Sequence, residues 1–350
     1  MITIFCSLLL WLLWSSSLSA SEAAFVSSPD LGKVYKIDLQ GYVVQKAYHV
    51  GGHPQYISFH DNKLFIEGEV GPDGWAYIDV FDLEREEVIK RIPTGVVRAG
   101  PVVGETELIY AIQNPKPEIL FVDFRHLNAT ALSMPDRLVP GSLALTPDMM
   151  HLFIVATEYQ EVGIPRQTVL LALSLKDRQI KIIEKLPNHT DSIAFLGDIF
   201  LIHVSKNAEK DQFILRRYRE MKIVQAFEVP YFCEQYTNRQ KYAALPTLGQ
   251  FVVAGGDCPG DEELEENQPT VLAFTSAGNL TWKVTNAADG VPAPFTLATL
   301  ADGRIVFVAS GFGLGILDPK TGRLLRRIRI GNDNALWGLA VDEQKMRQQQ

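Results

Sequence analysis

A chain that binds or converts an anion or a carbonyl compound must bring cationic and imidazole side chains to one place. This 350-residue sequence offers His53, Arg98, His189 and Arg239 for that purpose. Arginine gives a carboxylate or phosphate a planar two-point contact, and histidine exchanges a proton near neutral pH. Ser142, Asp191, Tyr236, Asn334 and Trp337 fall at matching points of the repeat described below and add hydroxyl, carboxylate, phenol, amide and indole groups. If these nine converge, they form a ligand site for a carboxylate, a phosphate or a lactone carbonyl. If they diverge, they are solvated turn residues on a wide rim.

Carboxylates supply the second kind of chemistry. Glu67 and Glu69 are two apart at the end of a β-type run, which puts them on one face of a strand. Glu158 falls at what reads as the same place two repeats later. Glu67, Glu69 and Glu158 are the metal candidates, and the cofactor they imply is a divalent cation, Ca2+ or Mg2+. His53, His189, Glu67 and Glu158 are the catalytic candidates, as bases or as groups that polarise a substrate. The competing reading is that strand-end glutamates face water, since Glu is seldom buried unless paired. The acidic run from Asp257 to Glu266 lacks the spacing of a calcium-binding loop and reads as a solvated insertion. No nucleophile-elbow serine, zinc-binding His pair, paired-cysteine motif or phosphate-binding glycine loop occurs in the chain.

The formal charge of −8 opposes sequence-independent binding to nucleic acid or to an anionic membrane, because both need a basic face. Residues 1–20 carry no charged side chain and read as a signal peptide, with cleavage after Ala20 or after Ala23; an uncleaved anchor is the alternative. No later stretch is long and apolar enough to span a bilayer, so stable membrane insertion after cleavage is not expected. Loss of the leader removes Cys6 and leaves Cys233 and Cys258, which read as one disulfide or as two separate buried thiols. Asn128, Asn188 and Asn279 head glycosylation sequons in turns or at strand ends, of consequence only in a host that glycosylates them. A secreted, extracellular location follows, periplasmic if the host is a bacterium.

The elements that must position these residues are short β-type runs punctuated by Gly, Pro, Asn and Asp. One unit of four strands recurs. Its third strands align at Lys33–Leu39, Trp75–Leu83, Glu118–Phe124, Thr168–Leu175, Phe213–Tyr218, Thr270–Thr275 and Leu314–Pro319, about 42 to 57 residues apart, the period of propeller blades. The clearest copy turns at Ala301-Asp302-Gly303-Arg304 and again at Asp318–Gly322, where Gly303 and Gly322 supply positive φ. The first copy starts on a second strand, Ala24–Ser28, and lacks an innermost one. Trp337–Asp342 reads as an innermost strand with no blade after it. Joining the two makes an all-β, seven-bladed propeller spanning 24–343, closed by one mixed blade, with 344–350 as a disordered tail. Two β-sandwiches would leave that complementary deficit unexplained.

The blades resemble those of YVTN-type propellers, the superfamily that includes lactonase-type propellers and the heavy chain of quinoprotein amine dehydrogenases. The resemblance rests on Gly51-Gly52-His53-Pro54 before a first strand, on LFIEG, LFIVAT and IVFVAS as second strands, and on YIDVFDLE and LGILDPKTG as third strands. No blade carries the literal Tyr-Val-Thr-Asn signature. Two functions are then in play. The first is a binding or interaction protein that takes a small molecule, glycan or protein at the channel mouth and rim. The second is a hydrolase or lyase acting on a lactone or ester, in which Glu67, Glu69 and Glu158 hold metal or act as base while His53, His189 and Arg98 polarise the substrate. An oxidoreductase subunit would need a cofactor-bearing partner chain.

Overall fold

The structure, a computed structural model, describes residues 22–68, 76–114, 116–161, 164–187, 190–205, 210–230, 242–255, 269–300, 302–331 and 336–342. The leader, Cys6, Glu69, Trp75, Asn188, His189, Cys233, Tyr236, Arg239, Cys258, the acidic run, Asn334 and the tail lie outside them.

The described residues form seven four-stranded antiparallel sheets. Blade 1 holds Ala23–Ser28, Lys33–Asp38 and Val43–His49, with Leu339–Val341 as its innermost strand. Blade 2 holds Pro54–His60, Lys63–Gly68, Ala76–Asp82 and Glu87–Thr94, and blade 3 holds Val96–Val103, Glu107–Asn114, Glu118–Asp123 and Ala129–Ser133. Blade 4 holds Leu138–Leu145, His151–Glu161, Ile164–Ser174 and Ile180–Leu186, and blade 5 holds Thr190–Leu196, Ile199–Ser205, Lys210–Arg217 and Lys222–Pro230. Blade 6 holds Tyr242–Leu245, Gln250–Ala254, Pro269–Thr275 and Leu280–Thr285, and blade 7 holds Thr296–Thr299, Ile305–Ala309, Gly313–Leu317 and Leu324–Ile328.

The closure expected from the sequence is present. Ala24, Phe25 and Val26 pair antiparallel with Val341, Ala340 and Leu339. Backbone bonds from Trp337 N to Ser27 O (3.1 Å) and from Asp342 N to Ala23 O (3.3 Å) extend the ladder at both ends. With it, the first blade has four strands like the other six.

Strand alternation determines how the blades stack. Successive side chains point to opposite faces, so on the second strand of blade 2 Leu64 and Ile66 pack with Phe25 and Val34 of blade 1, while Phe65 packs with Leu108 and Tyr110 of blade 3. Seven hydrophobic clusters result, and each is a seam between neighbouring blades rather than the centre of one. The seam that closes the ring sets Val306, Val308, Leu314 and Ile316 of blade 7 against Ala24, Val26, Ile37 and Leu339 of blade 1.

The turns joining third to fourth strands are built alike. Asp82 Oδ1 accepts from the amides of Glu84 and Arg85, Asp123 Oδ1 from those of Arg125 and His126, and Asp318 Oδ1 from those of Lys320 and Thr321. In blades 1 to 5 and 7 the residue four positions after the start of this turn has positive φ; in blade 6 it is Gly278, three after Thr275. Gly322 fills it in blade 7, as its sequence implies, but Tyr42, Glu86, Leu127, Arg178 and Met221 fill it in blades 1 to 5. A side chain in that conformation costs about 1–2 kcal/mol, and the capped turn holds it there; Glu86 N, for example, donates to Asp82 O at 2.8 Å.

Candidate functional site

In this ring the innermost strands all begin at one end of the channel, and the site is built up from that end. Four consecutive innermost strands are irregular there. The pairing skips Gln55 in blade 2, Arg98 in blade 3, Gly141 and Ser142 in blade 4, and Asp191 in blade 5. A bulge of this kind places an extra residue on the strand and re-aims it. Arg98 is exposed and Gln55 half-buried. Three of the residues singled out by sequence therefore share one structural cause, and Gln55 is a fourth that motif reasoning missed. Ser142 differs in its surroundings, for it is buried and its Oγ accepts from Ile193 N of the next blade at 3.2 Å. It ties two blades together.

On another arc of the same end, Phe295 and Trp337 precede the innermost strands of blades 7 and 1. Their rings stack with centroids 5.8 Å apart and planes 7° from parallel, and both are half-buried. Trp337 O accepts from Thr296 Oγ1 at 3.1 Å, which fixes the approach to the closing strand. His53 lies exposed just before blade 2.

The fifth residue of each second strand from its hairpin end, or the fourth in the shorter strand of blade 7, faces the following blade near the mouth. Register places Ser27, Glu67, Ala111, Val155, His203, Ala254 and Val308 there. Three of the seven are polar, and all three are buried. Ser27 Oγ donates to Gln55 O of blade 2 at 2.8 Å and accepts from Gly338 N at 2.7 Å, so one hydroxyl joins three strands.

Two expectations about the glutamates fail here. Glu67 does not face water: it is only 3 % exposed, because it lies on the face it shares with Phe65. Glu158 is not its counterpart, since Val155 occupies that register and Glu158 sits three residues further out, opposite Leu138 and Gln167 on the long hairpin of blade 4. Among the described residues, no three His, Cys, Asp or Glu side chains gather as a metal site.

His203 centres a cluster that the sequence reading did not identify. Its Nδ1 lies 2.9 Å from the Tyr242 hydroxyl at the start of blade 6, and its Nε2 lies 3.2 Å from Asp211 Oδ2 on the neighbouring third strand. Ser192 Oγ donates to the same Tyr242 oxygen at 2.5 Å. Ser192, His203 and Asp211 are each 1 % exposed, whereas Tyr242 is half-buried. The signal was a histidine inside the strongly apolar strand IFLIHVS, in the register of Glu67.

The sequons at Asn128 and Asn279 lie in exposed turns. His60 stacks on Phe124 of blade 3 with ring centroids 3.5 Å apart.

Fold and site together define the class as a seven-bladed β-propeller, in keeping with the superfamily resemblance in the sequence. No family model matches the chain. No curated protein matches it either. Solved structures do. A functionally unknown protein from Desulfotomaculum acetoxidans superposes with a TM-score of 0.61 at 10 % identity, covering 92 % of this chain and 99 % of its own. The periplasmic gluconolactonase of Pseudomonas aeruginosa gives 0.59 at 12 % identity, with 92 % and 99 % covered. Hydrazine synthase of Kuenenia stuttgartiensis gives 0.57 at 12 %, with 88 % and 92 % covered. At such identities the likeness is one of fold.

Proposed function

We propose that this chain is an exported binding propeller whose channel mouth takes a glycan or a comparable ring-bearing small molecule. The observation that carries this reading is the mouth itself, where bulged residues Gln55, Arg98 and Asp191 stand in blades 2, 3 and 5 and the Phe295–Trp337 stack lies on another arc. An aromatic face offers apolar contact to the C–H face of a sugar ring, and Arg98 offers two-point hydrogen bonding to a carboxylate. A protein partner carrying such groups on a loop would use the same surface. The acidic charge argues against nucleic acid as the ligand.

Export rests on the leader read from the sequence. Cleavage after Ala20 is the better of the two sites, because Ala23 is the first residue of the strand that pairs with Lys33–Asp38, and Glu22 bonds Arg304 of blade 7 at 3.1 Å. Cleavage after Ala23 would cut both away.

The reading is tested by screening the mature protein against neutral and uronic-acid oligosaccharides and titrating the hits by calorimetry. Trp337→Ala and Arg98→Ala should each weaken binding at least tenfold. Unchanged affinity in both variants would refute the mouth as the site. A lactone or ester hydrolase built on Glu67, Glu69 and Glu158 is the weaker reading, since Glu67 and Glu158 occupy different registers. The gluconolactonase named among the neighbours supports that reading by fold alone.

A further inference from the structure

Beyond ligand binding, we propose that the outer edge of blade 3, Ala129–Ser133, is a self-association site that pairs antiparallel with the same strand of a second copy of this chain.

The fourth strand is the rim edge of its blade, and an unpaired row of N–H and C=O groups there recruits other strands unless it is guarded. Two guards recur around this ring. In blades 1, 2, 4, 5, 6 and 7 the fourth strand carries a bulge against the third, which twists the edge away from a straight partner. The same six strands each hold a cation: Lys46, Lys90, Lys181, Lys222, Lys283 and Arg326. Blade 3 has neither guard. Its fourth strand, ATALS, pairs in unbroken register with Glu118–Val122 and holds no charged residue. Among the described residues nothing pairs with its outer side, and Ala129, Thr130, Ala131 and Ser133 are exposed.

The strand's own ladder fixes which groups are on offer. Hydrogen bonds from Asp123 N to Asn128 O at 2.9 Å and from Met134 N to Pro117 O at 3.0 Å turn the main-chain groups of Asn128 and Met134 inward. Bonded and non-bonded positions alternate along an antiparallel pair. Thr130 and Leu132 therefore also bond inward, and Ala129, Ala131 and Ser133 present their N–H and C=O groups to the outside. A second copy related by a two-fold axis at Ala131 matches that pattern at every position, as an isologous contact requires. Ala131 faces Ala131 and exchanges both bonds, while Ala129 faces Ser133 on either side of the axis. Any other antiparallel register leaves some of these groups unpaired. The methyl side chains at the axis let the two strands approach without obstruction.

Charge points to the same strip. Two copies that each carry −8 repel one another, least where the surface is neutral. Around this strand the charges balance. Arg125 and His126 lie at one end beside Asp123, which is 3.1 Å from His126 Nδ1. At the other end Lys116 lies 3.8 Å from Glu118 and donates to Ser133 Oγ at 2.7 Å, and Asp136 and Arg137 follow as an exposed pair of opposite sign. A strand this short makes an interface below about 1,200 Å², the class of weak, reversible associations. The dimer therefore forms and dissociates with concentration, and its place on the rim leaves the channel mouth open.

The test uses the mature protein from a host that adds no glycan, so that Asn128 is bare. Sedimentation velocity from about 1 μM to about 1 mM should show the wild type passing from monomer toward dimer. Ala131→Pro removes one outward N–H and suits an edge strand; it should keep the thermal midpoint and stay monomeric over the whole range. Ala47→Pro, on the guarded edge of blade 1, should leave the association unchanged. Ala131→Cys should give, after mild oxidation, a covalent dimer whose linked peptides both contain position 131. A wild type that stays monomeric throughout would overturn the proposal and leave the edge to an extended segment of another protein. Dimers that survive Ala131→Pro would overturn it as well.

Discussion

Gly338→Ala is the sharpest local probe of how the ring closes. A methyl group there would meet Gln55 O at 2.5 Å, Ser27 Oγ at 2.7 Å and the Tyr56 Cα at 3.0 Å. Two of these atoms are backbone of blade 2, so the closing strand must move away from both blades. Ser27 Oγ, which serves Gly338 N and Gln55 O together, then loses one or both partners. Each buried hydrogen bond lost costs about 1 kcal/mol, and forced overpacking costs about 1–3 kcal/mol. The sum is roughly 2–5 kcal/mol. Equilibrium unfolding in urea should show it as a lower midpoint with an unchanged slope. Ser27→Ala should cost roughly 1–3 kcal/mol by itself, since it leaves a buried amide and carbonyl without that partner. The double variant should then fall short of the sum, because both changes act on one cluster. A loss below about 0.5 kcal/mol for Gly338→Ala, or additivity within about 0.3–0.5 kcal/mol, would refute the argument.

Three further outcomes are expected. Backbone amides hold the carboxyls of Asp82 and Asp123 below the usual range, chiefly those of Arg85 and His126, and the Thr321 hydroxyl does the same for Asp318. A lowered folded-state value means the stabilisation is present above the ordinary carboxylate value of about 3.9 and is lost as pH falls through the folded-state values. Asn at all three positions, which keeps an accepting oxygen, should therefore flatten the acid limb of stability against pH; an unaltered acid limb would count against the capped turns. Gly315→Ala would overlap the buried Phe307 ring and should cost about 1–3 kcal/mol in urea unfolding. Nη2 of Arg178 donates to both carboxylate oxygens of Glu107 at 2.8 and 2.9 Å, and the guanidinium lies over Phe121 at 3.7 Å, joining blades 4 and 3. Arg178→Lys should lose about 1 kcal/mol despite keeping the charge, because the ammonium cannot lie flat on the Phe121 ring as the guanidinium does.

The fold was legible because it repeats. Third strands such as YIDVFDLE and LGILDPKTG carry period-two alternation and a terminal aspartate, and that aspartate turns out to cap the following turn. Closure could be read from the missing innermost strand at one end and the spare one at the other. Positive φ at Glu86, Leu127 and Arg178 was hidden, since nothing in those side chains advertises it. The site was less legible. Arg98, Ser142 and Asp191 were placed at blade starts, yet what sets them apart is a bulge, which depends on pairing and leaves no mark on composition. Glu67 and Glu158 looked equivalent along the chain, but register separates them by three residues. His203 went unnoticed because it sits alone in an apolar strand, and Asp211 because it opens the strand KDQFILRR among other polar residues; only the pairing of Ser205 with Asp211 and His203 with Phe213 brings them onto one face.

The central claim is a ring of seven blades closed by strand pairing between the two ends of the chain. Ala24 and Val341 lie directly opposite each other in that pairing, and opposed residues of an antiparallel pair are about 4.5–5.5 Å apart at Cα, within reach of a disulfide. Ala24→Cys and Val341→Cys should therefore yield, after mild oxidation and proteolysis, one cross-linked peptide pair containing both positions. Recovery of the two cysteines in separate peptides under conditions that keep the protein folded would contradict the closed ring.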